Sequence, residues 1–241
     1  MHKPFVGLTD KNLVCSFSLR SFQNMSLFYG DTLNALDNRK NFLSYLGINY
    51  QDLVCAKQIH SDKIKYVKEV DKGKGALDYE SSLSGIDAFI TDKRNVPLAI
   101  FTADCLSVFL YNPKVPAIGL VHAGWRSSKE KITQKTIESM KENFNSLPQD
   151  ICVSFGPAIR DCCYEVGEPF LGYFPHAVLK KNNTYYLDLI EINKRQALEC
   201  GIKEENIFDS DICTSCHKED FFSFRREGKN CGRLMSVIML K

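Results

Sequence analysis

Three short apolar runs, at residues 98–101, 106–111 and 117–121, crowd into the stretch NVPLAIFTADCLSVFLYNPKVPAIGLVHAGWR that spans 95–126. Each has the length and the composition of a buried strand. Thr102-Ala103-Asp104-Cys105 joins the first run to the second, and Asn112-Pro113 and Pro116 lie between the second and the third. Neither gap leaves room for a crossover helix, so a purely parallel sheet does not fit this stretch. Residues that a packed core does not need sit at two of these strand ends. Cys105 closes the first joint, and His122-Ala123-Gly124-Trp125-Arg126 follows the third run. A thiol and an imidazole at strand ends, with Gly124 admitting close backbone approach, mark this stretch as the candidate active site.

The rest of the chain reads as strands and helices around that centre. A strand is expected at 12–19 and a helix at 31–46, capped by Asp31 or Thr32 and ended by Gly47, with Leu33, Leu36, Leu43 and Leu46 as its inner face. Within that helix Asn38-Arg39 reads, from periodicity alone, as part of a solvated face. Strands at 53–58 and 63–70 flank His60, a junction where histidine is more often a hydrogen-bonding or surface residue than a ligand. The polar, glycine-rich segment 72–84 reads as an exposed loop, and 86–91 as another strand. Ser127 and Glu130 have the spacing of a capping box for a helix running to about Phe144, with Ile132, Ile137, Met140 and Phe144 inward. A strand at 151–155, a helix at 188–201 and a terminal hairpin pairing 221–225 with 234–240 complete the reading. The fold class is α/β: a single domain over 1–241, a mixed or antiparallel sheet sandwich with flanking helices.

Charge and composition narrow the partners. A formal net charge of +2, with Lys and Arg scattered among acids, points to neither nucleic acid nor a membrane surface. The opening residues MHKPFVGLTDKN lack the charged and apolar segments of a secretory signal, and no apolar run approaches the ~20 residues of a membrane span. A cytoplasmic protein, monomeric or weakly homo-oligomeric, is expected. Ten cysteines in a chain of 241 residues, several of them inside apolar runs, fit reduced thiols better than a disulfide scaffold.

Cys213-Thr-Ser-Cys216-His217 is the most conspicuous motif. Haem attachment would need export, and a zinc knuckle would need a second cysteine pair, which Cys231 alone does not supply. These cysteines, and the adjacent Cys162-Cys163, are therefore expected to serve packing and to hold no catalytic metal. Nucleophile-elbow, Walker, dinucleotide, H-E-x-x-H and zinc-deaminase patterns are all missing from the sequence. His60, Cys105 and His122 remain. If the fold brings them together, two imidazoles and a thiolate suit zinc with a fourth position open, where a metal acidifies water or polarises an oxygen. Two other readings stay open: a cysteine hydrolase with Cys105 as nucleophile and His122 as base, and a non-catalytic, zinc-stabilised binding protein.

K-Q-I-H at 57–60, T-A-D-C at 102–105 and V-H-A-G-W-R at 121–126 resemble the multicopper polyphenol oxidoreductase (laccase-like) family. Its members, the bacterial peptidoglycan editing factor among them, are understood as zinc-dependent purine nucleoside phosphorylases. The resemblance continues through Asn38-Arg39, Gly156-Pro157-Ala158-Ile159, Tyr164-Glu165-Val166-Gly167, Cys213-Thr214, Ser223-Phe224-Arg225-Arg226 and Gly232-Arg233, in the family's order along the chain. It implies that His60, Cys105 and His122 bind one Zn2+, copper being disfavoured by a total of five histidines. It also implies catalytic roles for Cys105 and for Arg39, the latter as a fixed cation for phosphate or the departing base. The implied substrates are adenosine, inosine and methylthioadenosine with phosphate, and adenosine for deamination. The sequence departs from the family after Arg20, at Phe28, and at Ser127, where the family has glycine.

Overall fold

Every residue of the strand Leu106–Asn112 is buried, and its side chains divide between two cores. Val108 and Leu110 face helices, packing with Ile132, Ile137 and Met140. Phe109 and Tyr111 face a second sheet, packing with Leu98, Ile100 and Ile238. A strand covered on both sides has no reason to alternate with polar residues, which is why the central runs are apolar throughout.

In this computed structural model residues 8–241 are described; the first seven residues of the domain expected over 1–241 lie outside them. A six-stranded sheet runs in the order Ile207–Asp209, Cys152–Phe155, Leu106–Asn112, Ala117–Ala123, Ala88–Thr91, Ile64–Tyr66. Its two outer pairs are parallel and the inner ones antiparallel. The hairpin at its centre sets Leu106 opposite Ala123 and Asn112 opposite Ala117, so the register alone carries His122 to the same end as Cys105. Behind it lies an antiparallel sheet in which Leu234–Leu240 is flanked by Leu13–Phe17 and Leu98–Thr102. The helices Ile132–Phe144 and Leu189–Glu199 cover the first sheet. The helix Thr32–Tyr45 covers the second, with Phe42 and Leu43 against Ala99, Val237 and Met239. The result is a single-domain, four-layer α/β/β/α sandwich.

Several local expectations change. The helix Thr32–Tyr45, capped by the Asp31 carboxylate on the Asn34 N–H, buries Ala35, Arg39, Phe42 and Leu43, while Leu33 is 74% exposed. Of the expected inner face, Leu43 is buried and Leu36 and Leu46 are half-buried, while Leu33 faces out and Arg39 takes an inner position. Segment 72–84 is not uniformly exposed: Gly75 and Ala76 are buried where Arg39 reaches their carbonyls. Of the strands read at 53–58 and 63–70, only Ala56–Lys57 and Ile64–Tyr66 form. The Ser127–Glu130 pair opens no long helix. A short helix, Trp125–Lys129, ends there, and Lys131 takes a left-handed φ of 60° before Ile132–Phe144 begins. The terminal hairpin is absent among the described residues. Phe224–Glu227 is helical, and Leu234–Leu240 pairs with two strands distant in sequence, whose apolar faces offer more burial than a local hairpin. The hairpin Val178–Lys181/Thr184–Leu187 was not anticipated; its signal is Asn182-Asn183, both at positive φ as a two-residue primed turn requires.

Candidate metal and active site

Asp87 organises the site from the backbone outward. It directly precedes the strand Ala88–Thr91 and is fully buried. Its carboxylate accepts the main-chain N–H groups of Ile59 (3.2 Å), His60 (3.0 Å) and Ser61 (2.7 Å) and the Ser61 hydroxyl (2.8 Å). That grip holds the loop before Ile64–Tyr66 in a turn where His60 has φ of 61°. The same carboxylate lies 2.8 Å from His122 Nδ1, and the Asp87 carbonyl accepts the His122 N–H at 2.8 Å. One side chain therefore sets the position of one imidazole and the orientation of the other.

Cys105 is placed by Asp104, the left-handed residue (φ 86°) between the strands Leu98–Thr102 and Leu106–Asn112. Aspartate tolerates that conformation better than most residues. Its carboxylate accepts the Thr214 hydroxyl (2.7 Å), the Ser223 hydroxyl (3.0 Å) and the Arg225 N–H (2.7 Å). Gly124 supplies the space. A Cβ there would stand 2.6 Å from His60 Cδ2 and 3.2 Å from Cys105 Sγ, so no larger residue fits with both side chains in place. Ser127, where the family has glycine, is buried and donates its hydroxyl to the His122 and Gly124 carbonyls, stiffening the turn.

His60, Cys105 and His122 meet as expected, their ligand atoms all within 4.8 Å of one another. Cys105 Sγ is 3.7 Å from His60 Nε2. Around a tetrahedral zinc with Zn–S near 2.3 Å and Zn–N near 2.05 Å, those two atoms would stand about 3.6 Å apart. The donor set and its spacing fit a metal with one position open, and Asp87 is the carboxylate that such a histidine ligand commonly carries behind it. Burial alone would push the Cys105 thiol up, but the His122 and His60 rings outweigh it and hold it at about 6. Burial would likewise lower His122, yet the Cys105 and Asp87 charges raise it to about 9. Asp87 is held at about 2 despite burial, chiefly by its bond to His122. The pocket is thus built for a thiolate facing the His122 imidazole, whether that ring carries a proton or a metal. Among the described residues only these two histidines join a metal-competent cluster.

Tyr164 packs against the core that includes Val121 and Ala123, on either side of His122. Burial lifts its phenol far above the usual range, and the charge of Cys105 adds to the rise. Arg225 lies 5.4 Å from the Tyr164 ring and donates to the Glu165 carbonyl at 2.8 Å. Arg126 lies over Trp125, whose ring stacks near parallel with Tyr173. Asp87, Asp104, Tyr164 and Arg225 carry no role in the sequence reading. Three of them, Asp104, Tyr164 and Arg225, fall inside the resembling motifs; Asp87 lies in none.

Arg39 is not on a solvated face. It is 2% exposed, with Nε donating to the Met25 carbonyl (2.8 Å), Nη1 to those of Gly75 (2.9 Å) and Ala76 (2.8 Å), and its guanidinium 4.6 Å from the Phe101 ring. Phe101 is in turn clasped at its main chain by Gln58, two residues before His60. The Cys213/Cys216 pair does not stand alone either: the fold brings Cys162 and Cys163 to it, the second pair that sequence spacing did not reveal.

A four-layer sandwich with a His-Cys-His pocket at one sheet end defines a class of metal-site α/β proteins, and the family follows from comparison. The model of the multi-copper polyphenol oxidoreductase laccase family matches residues 6–241, and the chain belongs to that family. It is 34% identical over 242 residues to purine nucleoside phosphorylase YlmD of Geobacillus stearothermophilus, covering 96% of this chain and 88% of that one. It is 38% identical over 245 residues to purine nucleoside phosphorylase CA_C1699 of Clostridium acetobutylicum, covering 98% and 96%. Adenosine deaminase RL5, from an unknown prokaryotic organism, is 29% identical over 220 residues, covering 88% and 84%. The crystal structure of YlmD from Geobacillus stearothermophilus superposes with a TM-score of 0.91 at 31% identity, covering 96% and 93%. No helix of the described residues is long and apolar enough to cross a membrane.

Proposed function

We propose that this chain is a zinc-dependent purine nucleoside phosphorylase, taking adenosine, inosine and methylthioadenosine, with adenosine deaminase activity besides. The observation that carries the reading is the convergence of His60, Cys105 and His122 from three separate sequence blocks onto one metal-sized space. The names of the relatives support the substrate class. His60, Cys105 and His122 would hold the metal. When bound, zinc supplies a Lewis acid at the open position. The domain is proposed to occupy 1–241, and ten free thiols, none paired in a disulfide, support a reducing, cytoplasmic setting.

The chain's own residues account for the rest. Asp87 keeps His122 oriented and, as an anion, favours the metal-binding state of that ring. Arg225, over the Tyr164 ring, and Arg126, over the Trp125 ring that follows Gly124, are cations suited to phosphate and to charge on the leaving base. In phosphorolysis a phosphate oxygen bonds to C1′ of the ribose as the C1′–N9 bond breaks, and the purine leaves with a proton on nitrogen. The aromatic Tyr164 and Trp125 give the base a surface to lie against. Arg39 acts from behind. With Nε and Nη1 given to carbonyls and the side chain buried, its larger part is to fix the Phe101–Gln58 clasp that precedes His60.

One observation favours a second reading: Asp87, His122 and Cys105 also have the order of a carboxylate–imidazole–thiol triad. A triad has no need of His60 against the sulfur, so the metal reading ranks first. Inosine assayed with metal-replete and chelated protein, with and without phosphate, decides between them. Release of hypoxanthine together with ribose 1-phosphate, dependent on both phosphate and metal, is expected. Activity that survives complete metal removal, or hydrolysis indifferent to phosphate, defeats the proposal.

A further inference from the structure

A second group of metal-competent side chains stands apart from the His-Cys-His pocket: Cys162, Cys163, Cys213 and Cys216, their sulfurs all within 4.8 Å of one another. Cys162 Sγ is 3.8 Å from Cys163 Sγ and 3.7 Å from Cys216 Sγ, and Cys163 Sγ is 3.4 Å from Cys216 Sγ. In a tetrahedron of sulfurs about 2.3 Å from a central zinc, each edge is about 3.8 Å. A disulfide would require about 2.05 Å, and none of the four is paired in this way. Four thiols crowded at the edge length of a metal–tetrathiolate cage, two of them exposed, are unlike thiols that merely fill a core.

The two halves of the cluster are brought together by the main chain. Ala158 and Cys213 form a parallel bridge, with the Ala158 N–H donating to the Ile212 carbonyl and the Thr214 N–H to the Ala158 carbonyl. The Cys163 N–H donates to the Arg160 carbonyl, turning the Cys-Cys pair back toward that bridge. The His217 N–H donates to the Cys213 carbonyl at 3.1 Å, closing the C-x-x-C loop into a turn. Arg226 Nη1 holds the Thr214 and Ser215 carbonyls at 2.9 and 2.8 Å, pinning the C-x-x-C loop from outside. Lys181, tied to the Asp161 carboxylate at 2.9 Å, sets a cation beside the Cys162 end, which eases the negative charge of a metal–tetrathiolate group.

We propose that Cys162, Cys163, Cys213 and Cys216 bind a second zinc ion, as a closed, structural tetrathiolate site. With all four positions filled by protein there is no room for substrate on this metal, so its work is mechanical. What it would brace is evident from the chain. Tyr164 follows Cys163 and packs against the core that includes Val121 and Ala123, on either side of His122. Thr214 follows Cys213 and donates its hydroxyl to Asp104, the residue before Cys105. The ion would therefore clamp two loops, each of which continues within one residue into the active-site surround. The site itself does not depend on the proposed phosphorylase reaction.

The test is metal content of the full chain, purified under reducing conditions from zinc-supplemented cells. Wild type should carry about two zinc ions, Cys216→Ser about one, His60→Ala about one, and the double variant almost none, as two independent sites require. Cys216 is exposed, so its serine variant has little reason to misfold; circular dichroism confirms the fold. Cobalt replacing zinc should show strong thiolate-to-metal absorption that persists in His60→Ala and largely disappears in Cys216→Ser. A wild-type protein with one metal, Cys216→Ser with undiminished content, or a disulfide among these four cysteines in place of the ion would each overturn the proposal.

Discussion

His122 Nδ1 and Asp87 Oδ1 are 2.8 Å apart, and the Asp87 carboxylate that makes this bond also accepts the His60 N–H. Two histidines 62 positions apart in the chain are thus aligned by a single buried anion. Asp87→Asn keeps the shape and loses the charge. Metal affinity, measured by competition with a chelator, is expected to fall on the order of tenfold to a hundredfold while the fold persists. Unchanged affinity would mean that the carboxylate only shapes the loop.

Gly124 gives the sharpest steric test. Gly124→Ala puts a methyl 2.6 Å from His60 Cδ2, and the partly exposed loop carrying His60 yields before the buried strand carrying His122 does. Metal occupancy by elemental analysis should drop steeply, with thermal unfolding little altered. Full occupancy in Gly124→Ala would show that His60 is not a required ligand in the position seen here.

For Arg39 the expectation is stability first and rate second. Arg39→Ala leaves the Met25, Gly75 and Ala76 carbonyls without their charged donor, a loss of about 3 kcal/mol or more. In a chain of this size that lowers the unfolding midpoint by roughly 6–12 °C. Assayed well below that midpoint, turnover should still fall by on the order of a hundredfold, and Arg39→Lys should recover only part, lacking the planar fork. A folded, metal-loaded Arg39→Ala protein with wild-type turnover would remove Arg39 from the reaction.

In metal-stripped protein Cys105 should behave as an unusually acidic thiol. Its alkylation by iodoacetamide, followed on the Cys105 peptide by mass spectrometry, should rise with pH through about 6, whereas Cys15 and Cys55, pushed up by burial, stay slow. The sign for stability follows. The folded Cys105 value lies below the ordinary thiol range, so its contribution is complete above about 9 and is lost as pH falls through about 6. His122 is raised, so its contribution is complete below its ordinary 6.5 and is lost as pH rises through about 9. The two slopes oppose each other, and this pair should leave metal-free stability nearly level between those limits. A Cys105 alkylation midpoint near 9 would contradict the electrostatics of the pocket.

Local composition by itself determined the central strands, the Asp188-capped helix Leu189–Glu199 and the inner face of Ile132–Phe144, because fully buried strands and amphipathic helices write their burial into short-range pattern. The motifs around His60, Cys105 and His122 likewise marked the three residues that the fold brings together. The tertiary structure decided what depends on residues distant in sequence. Arg39 read as a surface residue because no local pattern reports three carbonyls waiting 14 to 37 residues away. Asp87 was invisible because a buried carboxylate has meaning only through the loop and the ring that it ties. Leu234–Leu240 took partners from near the start and from the middle of the chain in place of its neighbour. The four cysteines at 162, 163, 213 and 216 became one cluster only through a bridge between Ala158 and Cys213. Secondary structure is fixed largely by free energies that nearby residues supply, whereas a site of this kind is set by packing and pairing between segments, and only the folded chain brings those segments together.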